Sequence, residues 1–510
     1  MNISRRFFIG GAASFGAFGG CRFFTAHDYR SGGTPNLKFG VVSDIHITKV
    51  GAGEKMSAWG NNLTFRHTLE WFRDQGVDAV LIAGDMADNG MVEQLEAVAQ
   101  AWYAVFPDDR YPDGRPVEKV FVYGNHDWEG WGYGDFAKKL YPDEAERNRH
   151  ILRRNYGGWW EKIFHEAYAP IYRKEIKGYS FIGSHWAAPV ETRDWNKAYK
   201  AFDRILPFMA QHGGEIDPSL PFFYVQHPHP KDTCYGPWAW GHDAGDVTKC
   251  LSDYPNAVAF TGHSHYSLTD ERSVWQGAFT SVGTSSLRYT GMPYDEHKPV
   301  GYENTTTEVK DAWRYNADKL MGNFSAGDCR QGMLWSVYDD CMVVKRREFL
   351  SDLDVGDDWV LPLPAAESKP FAFAAHAKSV LAPSFAADAK LEVKRTKAKN
   401  RGGQSRDGKE SVPSVEKDVF RVTAPAAVAA NRARLYDLEF VAEGKNGERK
   451  SKLLMAEGYN HGIGHAKAQA RTFCNFALDE LPKGEVRFMV IPRNCFGTCG
   501  KPLVSDWLKV

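Results

Sequence analysis

Five short motifs rich in Asp, Asn and His stand out in this chain of 510 residues. Each follows a run of apolar residues that is typical of a buried strand. Together the motifs supply seven oxygen and nitrogen donors, enough to hold two divalent cations and leave positions open for water and a substrate. The set makes the chain a candidate enzyme. In chain order the motifs are Asp44-Ile45-His46, Gly84-Asp85-Met86-Ala87-Asp88, Gly124-Asn125-His126-Asp127, His227 and Gly262-His263-Ser264-His265.

The apolar runs alternate with segments of helical periodicity. This order predicts an α/β sheet with helices packed on it. In such sheets ligands bind beyond the carboxyl ends of the strands, which is where every candidate ligand falls. The predicted helices span residues 63–75 and 91–103, and the predicted strands span 36–44, 79–83, 120–123, 179–183, 222–226, 257–261 and 278–284.

Two of the motifs contain a pair of candidate ligands spaced two residues apart, namely Asp44 with His46 and His263 with His265. In an extended segment, side chains two residues apart point the same way. If these segments are extended, each pair therefore aims both of its side chains at one site.

The motif series resembles the calcineurin-like metallophosphoesterase family over residues 36–289. Any one motif is common by itself, but five in family order, each after an apolar strand, form a specific pattern. The resemblance implies a four-layer α/β/β/α core. It also implies a phosphoric ester hydrolase that uses a binuclear metal centre.

The resemblance further implies a ligand set, carried over position by position. Asp85 would bridge the two metals, because a shared carboxylate partly offsets the repulsion between two cations about 3.5–4 Å apart. The mixed donors suit Mn, Fe, Zn or Ni. The first metal would be held by Asp44, His46 and His265, and the second by Asn125, His227 and His263.

The mechanism implied by the resemblance is attack of a metal-bound hydroxide on phosphorus, with the cations screening the developing charge. His126 would donate a proton to the leaving oxygen or stabilise its charge as an imidazolium. Asp127 would orient His126 and support its charge. No covalent intermediate with the enzyme is needed.

Simpler interpretations exist for several of these residues. Asp44, Asp85 and Asp88 could be helix N-caps, and for Asp88 we prefer that interpretation. Asn125 could be a turn residue. His229, in the segment Gln226-His227-Pro228-His229-Pro230, is the alternative to His227 as ligand. His185 and His242 are expected to be structural hydrogen-bonding residues.

The predicted catalytic domain covers residues 36–350, with an aromatic and basic insertion at 128–177 that could form one wall of a pocket or only pack. An acidic, Pro-rich linker is predicted at 351–370. Residues 371–510 are predicted to form an all-β sandwich-like domain, because short alternating segments recur at 371–373, 435–441, 452–455 and 485–491. The eight Lys and Arg residues of segment 390–409 predict a solvated loop.

The loop predicted at Tyr459-Asn460-His461-Gly462-Ile463-Gly464-His465 is interpreted as structural or as lining an interface. Cys495 and Cys499 could form a small disulfide or remain as two reduced thiols.

Residues 1–35 are predicted to be an export signal and a flexible linker. Ser4-Arg5-Arg6-Phe7-Phe8-Ile9 and the apolar stretch up to Gly20 resemble a Tat signal. We therefore expect a periplasmic or cell-envelope protein. Cys21 follows Phe18-Gly19-Gly20, which loosely resembles a lipoprotein box, so Cys21 could carry a lipid that attaches the chain to a membrane, although Phe18 replaces the usual Leu.

Composition limits the partners. The formal net charge of −1 argues against broad electrostatic binding to nucleic acid or acidic membranes. We expect a phosphorylated small-molecule substrate. A second hypothesis is a non-catalytic surface or carbohydrate-binding protein, supported by the 16 Trp residues but opposed by the intact ligand positions. A third, a nuclease, is weakened by the absence of a basic face in the catalytic half.

Overall fold

The computed structural model describes residues 33–47, 61–129, 134–187, 195–236, 241–290, 330–400, 402–404, 408–427, 435–455 and 471–510. The predicted export signal, Cys21 and the motif from Tyr459 to His465 lie outside the described residues. Among the helices that are described, none has the length and apolar character needed to span a membrane.

Strands and helices alternate through the first part of the chain. The strands are β1 (Leu37–Val42), β2 (Ala79–Ala83), β3 (Glu118–Val122), β4 (Ile171–Ile176), β5 (Tyr179–Ser184), β6 (Phe222–Val225), β7 (Ala257–Thr261), β8 (Val274–Gln276), β9 (Thr280–Gly283), β10 (Gln331–Val337), β11 (Cys341–Glu348), β12 (Leu353–Asp354) and β13 (Trp359–Pro362). The helices are α1 (Asn61–Gln75), α2 (Val92–Val105), α3 (Asn125–Glu129), α4 (Gly134–Leu140), α5 (Glu144–Arg149), α6 (Tyr156–Phe164), α7 (Trp195–Lys200), α8 (Ile205–His212), α9 (Asp246–Leu251) and α10 (Phe373–Ser379). Short 3-10 helices lie at Pro107–Asp109, Leu152–Arg154, Ala201–Arg204, Gly213–Glu215, Glu271–Ser273 and Leu478–Glu480.

These strands form two sheets. The first has the order β12-β11-β10-β1-β2-β3, with β13 also paired to β11. The second has the order β4-β5-β6-β7-β9-β8. Strands β1, β2 and β3 are mutually parallel, as are β5, β6, β7 and β9. The carboxyl ends of β1, β2 and β3 therefore meet at one edge, and those of β6, β7 and β9 meet at another.

The two sheets face each other across one apolar core. Phe39 of the first sheet lies 4.8 Å from Phe223 and 5.8 Å from Phe260 of the second, measured between ring centroids. Side chains on the opposite faces pack against helices, with α1, α2 and α6 on the first sheet and α7, α8 and α9 on the second. Because the side chains of a strand alternate between the two faces of a sheet, each sheet can bury apolar side chains on both of its faces. The predicted four-layer α/β/β/α fold is confirmed.

The predicted linker at residues 351–370 is wrong in part. Strands β12 and β13 lie inside it, and both pair with β11. Trp359 and Leu361 are fully buried, so the apolar residues between the acidic and Pro residues extend the first sheet. Inside the predicted insertion, Trp160 and Phe164 of α6 belong to the core. The other domain boundaries remain predictions.

The C-terminal part is rich in β strands in several sheets. Its strands form the sheets β14-β17-β20, β15-β16 and β19-β18-β21-β22, with β23 paired to β21. Strands from the first and third of these sheets share one core that contains Val422, Phe476, Phe440 and Phe488. The strands are β14 (Glu392–Lys399), β15 (Gly403–Gln404), β16 (Ser411–Val412), β17 (Glu416–Pro425), β18 (Leu435–Gly444), β19 (Arg449–Met455), β20 (Arg471–Ala477), β21 (Glu485–Asn494), β22 (Leu503–Val504) and β23 (Leu508–Lys509).

Two local predictions in this part are wrong. Residues 371–373 are not a strand, and α10 begins at Phe373. Residues 390–409 are not a loop throughout, because β14 forms an edge strand there with exposed Lys394 and Lys397. The high charge of this segment led to the loop prediction. Lys residues on an edge strand hinder its pairing with a further strand, but they do not prevent the edge strand itself from forming. Cys495 and Cys499 are free thiols, the first buried and the second exposed.

Candidate metal centre

The loops that follow β1 and β2 stay paired after the strands end. The backbone N–H groups of Asp44 and His46 donate to the carbonyl oxygens of Gly84 and Asp85, each at 3.0 Å. In the second sheet the N–H of Gly262 donates to the carbonyl of His227 at 2.9 Å. The loops after neighbouring parallel strands are thereby held side by side, which brings candidate ligands from distant parts of the chain into one cluster.

Three glycines allow this close approach. A Cβ atom on Gly124 would lie 2.2 Å from Oδ1 of Asp85, and one on Gly262 would lie 2.4 Å from Oδ2 of Asp44. A Cβ atom on Gly84 would lie 2.4 Å from Nδ1 of His227. The absence of a side chain is therefore required at all three motif glycines.

The ligand loops are not extended, contrary to the expectation for the two spaced pairs. Five candidate ligands have φ in the left-handed region, which is costly for residues with a side chain. Each pair still converges, because both members share this conformation and the loops are fixed by the neighbouring strands. The φ values are 50° for Asp44, 48° for His46, 53° for Asp85, 70° for His263 and 55° for His265.

Asp44, His46 and His265 form the first cluster of ligand atoms. Nε2 of His265 lies 3.0 Å from Oδ1 of Asp44, and Nε2 of His46 lies 3.7 Å from the same oxygen. The two Nε2 atoms are 3.1 Å apart. All three side chains are buried.

Asp85, His227 and His263 form the second cluster. Oδ2 of Asp85 lies 3.1 Å from Nε2 of His227 and 3.6 Å from Nε2 of His46, so this carboxylate borders both clusters. Asn125, the first residue of α3, is also buried, and its Oδ1 has no hydrogen-bond partner among the described residues. An unpaired buried acceptor is costly unless another group, such as a cation, meets it.

Hydrogen bonds at Nδ1 decide which way the imidazoles face. Nδ1 of His46 donates to Oδ1 of Asp88 at 3.1 Å, and Nδ1 of His265 donates to the carbonyl of Tyr289 at 3.1 Å. Nδ1 of His227 donates to the carbonyl of Ala83 at 2.7 Å. In the neutral rings each Nε2 therefore carries a lone pair directed into the cluster, which is how metal-binding histidines are commonly oriented.

The carboxylates of the cluster raise the pKa values of two of its histidines. Burial alone would lower the pKa of His46, but hydrogen bonds to Asp44 and Asp88 outweigh it and raise that pKa to about 10. Burial also acts to lower the pKa of His227, yet the charges of Asp85 and Asp44 raise it to about 9. The carboxylates thus attract protons to these rings, and divalent cations would satisfy the same attraction.

His126 lies at the edge of the cluster, with its ring centroid 4.5 Å from that of His46. Its Nδ1 donates to the backbone carbonyl of Asp88 at 2.8 Å and lies 3.8 Å from Oδ1 of Asp88. The residue that orients His126 is therefore Asp88.

The predicted role of Asp127 is wrong. Its buried carboxylate accepts backbone N–H groups from Met86 at 3.3 Å, Ala87 at 2.7 Å and Gly124 at 2.7 Å. Asp127 thus fixes the loop that carries Asp85 and does not support His126. The reason is geometric, because Asp127 is the third residue of the short helix α3, where its carboxylate lies against the N–H groups of that loop.

The structure also tests the alternative interpretations of His229 and Asp88. Both ring nitrogens of His229 are occupied by hydroxyls, with Nδ1 2.6 Å from Oγ1 of Thr261 and Nε2 2.8 Å from Oγ of Ser264. His229 is therefore unsuited as a ligand in this arrangement. Asp88 does not cap a helix, since the N-cap of α2 is Met91.

Sequence reasoning missed three residues at the site. Asp88 lies inside the second motif, where the sequence favours a helix cap. Tyr199 of α7 places its hydroxyl 2.8 Å from Nε2 of His263, and Arg288 hydrogen-bonds through Nη1 to Oδ1 of Asp88. No spacing rule connects Tyr199 or Arg288 to the motifs. The available signal for Arg288 was its place in the polar loop after β9.

The residues present fit two divalent cations. Carboxylate, imidazole and amide donors converge from five loops, and mixed oxygen and nitrogen donors suit first-row transition metals. Each cluster supplies one carboxylate and two imidazoles, so each leaves positions for water or substrate.

Comparison with known proteins agrees with this site. Residues 37–267 match the calcineurin-like phosphoesterase family, so this part of the chain is similar to a calcineurin-like phosphoesterase domain. The predicted family resemblance is thereby confirmed for the domain. No curated protein matches the chain in sequence.

Among solved structures, a dimetal phosphatase from Danio rerio is similar at 12% identity and a TM-score of 0.34, covering 64% of this chain and 99% of its own. A purple acid phosphatase from yellow lupin (Lupinus luteus) is similar at 13% identity and a TM-score of 0.33, covering 64% and 54%. Zinc-complexed Vps29 from Entamoeba histolytica is similar at 10% identity and a TM-score of 0.23, covering 64% and 99%. Likenesses this distant add nothing to the assignment.

Proposed function

We propose that the protein is a two-metal hydrolase that cleaves a phosphomonoester or phosphodiester. The supporting observation is the cluster itself, in which the Nε2 atoms of His46, His227 and His265 face the carboxylates of Asp44 and Asp85. Divalent cations bound there would supply an activated water as nucleophile and neutralise charge on the phosphoryl oxygens. Asp85, which borders both clusters, is proposed as the shared ligand.

His126 is proposed to hold the proton that the leaving oxygen takes up. Nδ1 of His126 donates to the carbonyl of Asp88, so a proton given by Nε2 must come from the imidazolium form. Burial lowers the pKa of His126, and the nearby carboxylates of Asp85 and Asp88, the latter 3.8 Å from Nδ1, act in the opposite direction and favour that form. Asp88 therefore takes the orienting role first expected of Asp127.

Export remains part of the proposal. Its support is the twin-arginine segment Ser4-Arg5-Arg6 and the apolar stretch that follows it. Lipid attachment at Cys21 would place the enzyme on a membrane surface. A fusion of residues 1–35 to a reporter that is active only after Tat export would test this proposal.

The central experiment combines metal analysis with turnover. The purified full chain, supplied with Mn²⁺, is expected to bind two metal ions and to hydrolyse p-nitrophenyl phosphate or its bis ester. Asp85→Asn should lower turnover by at least about 100-fold, because a catalytic electrostatic contact is lost, and should reduce bound metal. Asp74→Asn, an exposed aspartate on α1, is the matched control and should change neither.

A chain that binds metal but turns over neither ester would favour the non-catalytic surface protein instead. A chain that binds no metal would contradict the proposed ligand set. Equal activity in wild type and Asp85→Asn would remove the role assigned to that carboxylate.

A further inference from the structure

Residues 284–290 form a loop directly after β9. Hydrogen bonds join this loop to the first cluster of ligand atoms. Oγ of Ser286 donates to the carbonyl of Asp44 at 3.1 Å, and the carbonyl of Tyr289 accepts from Nδ1 of His265 at 3.1 Å. The N–H of Arg288 donates to Oγ of Ser286 at 2.9 Å. The backbone on both sides of Arg288 is thus fixed by groups that belong to the ligand loops.

The Arg288 side chain extends from this loop to Asp88. Nη1 of Arg288 donates to Oδ1 of Asp88, the same oxygen that lies 3.1 Å from Nδ1 of His46 and 3.8 Å from Nδ1 of His126. The guanidinium is therefore a near neighbour of the His126 imidazole. Arg288 is 31% exposed, whereas the metal-ligating side chains are buried, so its remaining N–H groups can reach a bound substrate.

Only Nη1 of Arg288 is engaged with Asp88 in the contact that joins the two side chains. A guanidinium has five donors in a planar fork that matches the oxygens of a phosphate. The partly exposed rim beside His126 therefore presents donors with phosphate-matching geometry.

We infer that Arg288 is a substrate-binding residue on the leaving-group side of the site and that it selects substrates whose leaving group carries an anionic phosphate next to the scissile bond. The inference rests on the proposed function, because His126 marks the leaving-group side. The substrate class is then a phosphoanhydride, such as a nucleoside diphosphate, in preference to a monoester of a neutral alcohol.

The reaction balances as a hydrolysis. For a nucleoside diphosphate, the oxygen of water forms a bond to the terminal phosphorus, and the bridging P–O bond breaks. Its electron pair stays on the leaving nucleoside monophosphate, and the protons of water pass to the products and the buffer. Arg288 would bind the phosphate oxygens of the leaving group as their charge increases, which stabilises the transition state more than the ground state.

The test compares ADP with AMP, which differ in whether the leaving group carries a phosphate. Phosphate release is measured with the metal-loaded full chain. Wild type should have a higher kcat/KM for ADP. Arg288→Gln should lower kcat/KM for ADP at least about tenfold more than for AMP, since a charge-assisted contact is lost, and Arg288→Lys should recover part of the difference.

The control is Arg66→Gln, an exposed arginine of α1 paired with Glu70, which should leave the ratio of ADP to AMP unchanged. An equal loss on both substrates in Arg288→Gln would overturn the inference and leave Arg288 as a structural partner of Asp88. Wild type that hydrolyses p-nitrophenyl phosphate but prefers AMP, or accepts neither nucleotide, would also overturn it while the proposed function stands. No hydrolysis of any of the three or of bis-p-nitrophenyl phosphate would contradict the proposed function itself.

Discussion

Asp85 and Glu271 are both fully buried carboxylates in the two-sheet part of the chain, but they are surrounded by different partners. Glu271 receives the indole N–H of Trp359 at 2.9 Å and faces Nη1 of Arg346 at 2.9 Å and Nε2 of His376 at 3.2 Å. Asp85 instead faces the Nε2 atoms of two histidines whose Nδ1–H groups are used elsewhere. One cluster is balanced by the chain's own cation, and the other requires protons or metal ions.

The backbone conformation also differs between Glu271 and Asp85. Glu271 opens a short 3-10 helix whose N-cap, Asp270, accepts the N–H of Arg272 at its carboxylate. Asp85 and its neighbouring ligands have positive φ values. Strain of this kind persists only where the surrounding structure enforces it, and it is concentrated at functional sites. Hence a buried carboxylate with relaxed backbone that faces an arginine of the chain indicates a structural role, whereas a strained cluster of carboxylates and imidazoles indicates a binding site.

The largest expected effect lies beside the strained cluster. His126→Ala should lower kcat about 10²–10⁴-fold, the usual contribution of a general acid, while metal content stays near wild type because Nδ1 of His126 bonds to Asp88 outside the ligand set. Steady-state kinetics and metal analysis of the same preparation check this. His212→Ala, at a partly exposed histidine paired with Glu215, is the control. A parallel loss of metal would make His126 a ligand instead.

The structural cluster should respond in stability. Glu271→Gln is expected to lower the free energy of unfolding by about 3–5 kcal/mol, because Arg346 is left buried without its counter-charge. Urea unfolding with and without Mn²⁺ measures the loss, which should be equal in both conditions. The matched control Glu70→Gln, at an exposed pair on α1, should cost no more than about 0.5 kcal/mol. If Glu271→Gln lowered the free energy of unfolding only with Mn²⁺ present, the Glu271 cluster would also depend on metal, and the proposed difference between the two clusters would be contradicted.

A third buried titratable group, His185, extends the comparison to the dependence of stability on pH. His185 lies among the rings of Tyr123, Trp160 and Tyr168, and its Nδ1 accepts the N–H of Tyr123 at 3.0 Å. Burial, helped by the charge of Arg204, lowers the pKa of His185 to about 3. The carboxylates around His46 and His227 have the opposite effect.

Because the folded pKa of His185 lies below the unfolded value of about 6.5, the unfolded state binds the proton more tightly. Stability is therefore lost as pH falls below that value, by about 2 kcal/mol at pH 5. His185→Asn keeps an acceptor for Tyr123 and should remove this part of the acid sensitivity, measured by urea unfolding at pH 7.5 and pH 5. An unchanged slope in the variant would show that other groups carry it.

Much of the fold was predictable from local patterns. The strands predicted at 79–83 and 257–261 coincide with β2 and β7, and the two predicted helices agree with α1 and α2 within two residues at each end. These segments are long or strongly apolar, so periodicity identifies them. The predictions for 351–370 and 390–409 were wrong because composition describes a segment and says nothing of the partner strand that β13 or β14 finds elsewhere in the chain.

The seven candidate ligands were all recognisable, since motif order and the preceding strands place them at strand ends. Their convergence depends on the glycine contacts and on the pairing of loops. Asp88 and Asp127 show where prediction stopped. Each is the acidic last residue of its motif. Only the folded chain shows that the carbonyl of Asp88 meets His126, while the carboxylate of Asp127 meets N–H groups of its own and the adjacent loop.

By itself the sequence determined the donor types, their order and their positions after apolar strands, because these depend on residues close together in the chain. The tertiary structure alone decided which atoms face each other. Arg288 reaches Asp88 across 200 residues, and His265 meets His46 across 219. Contacts over such separations depend on how parallel strands are ordered in two sheets, and that order is a property of the packed chain.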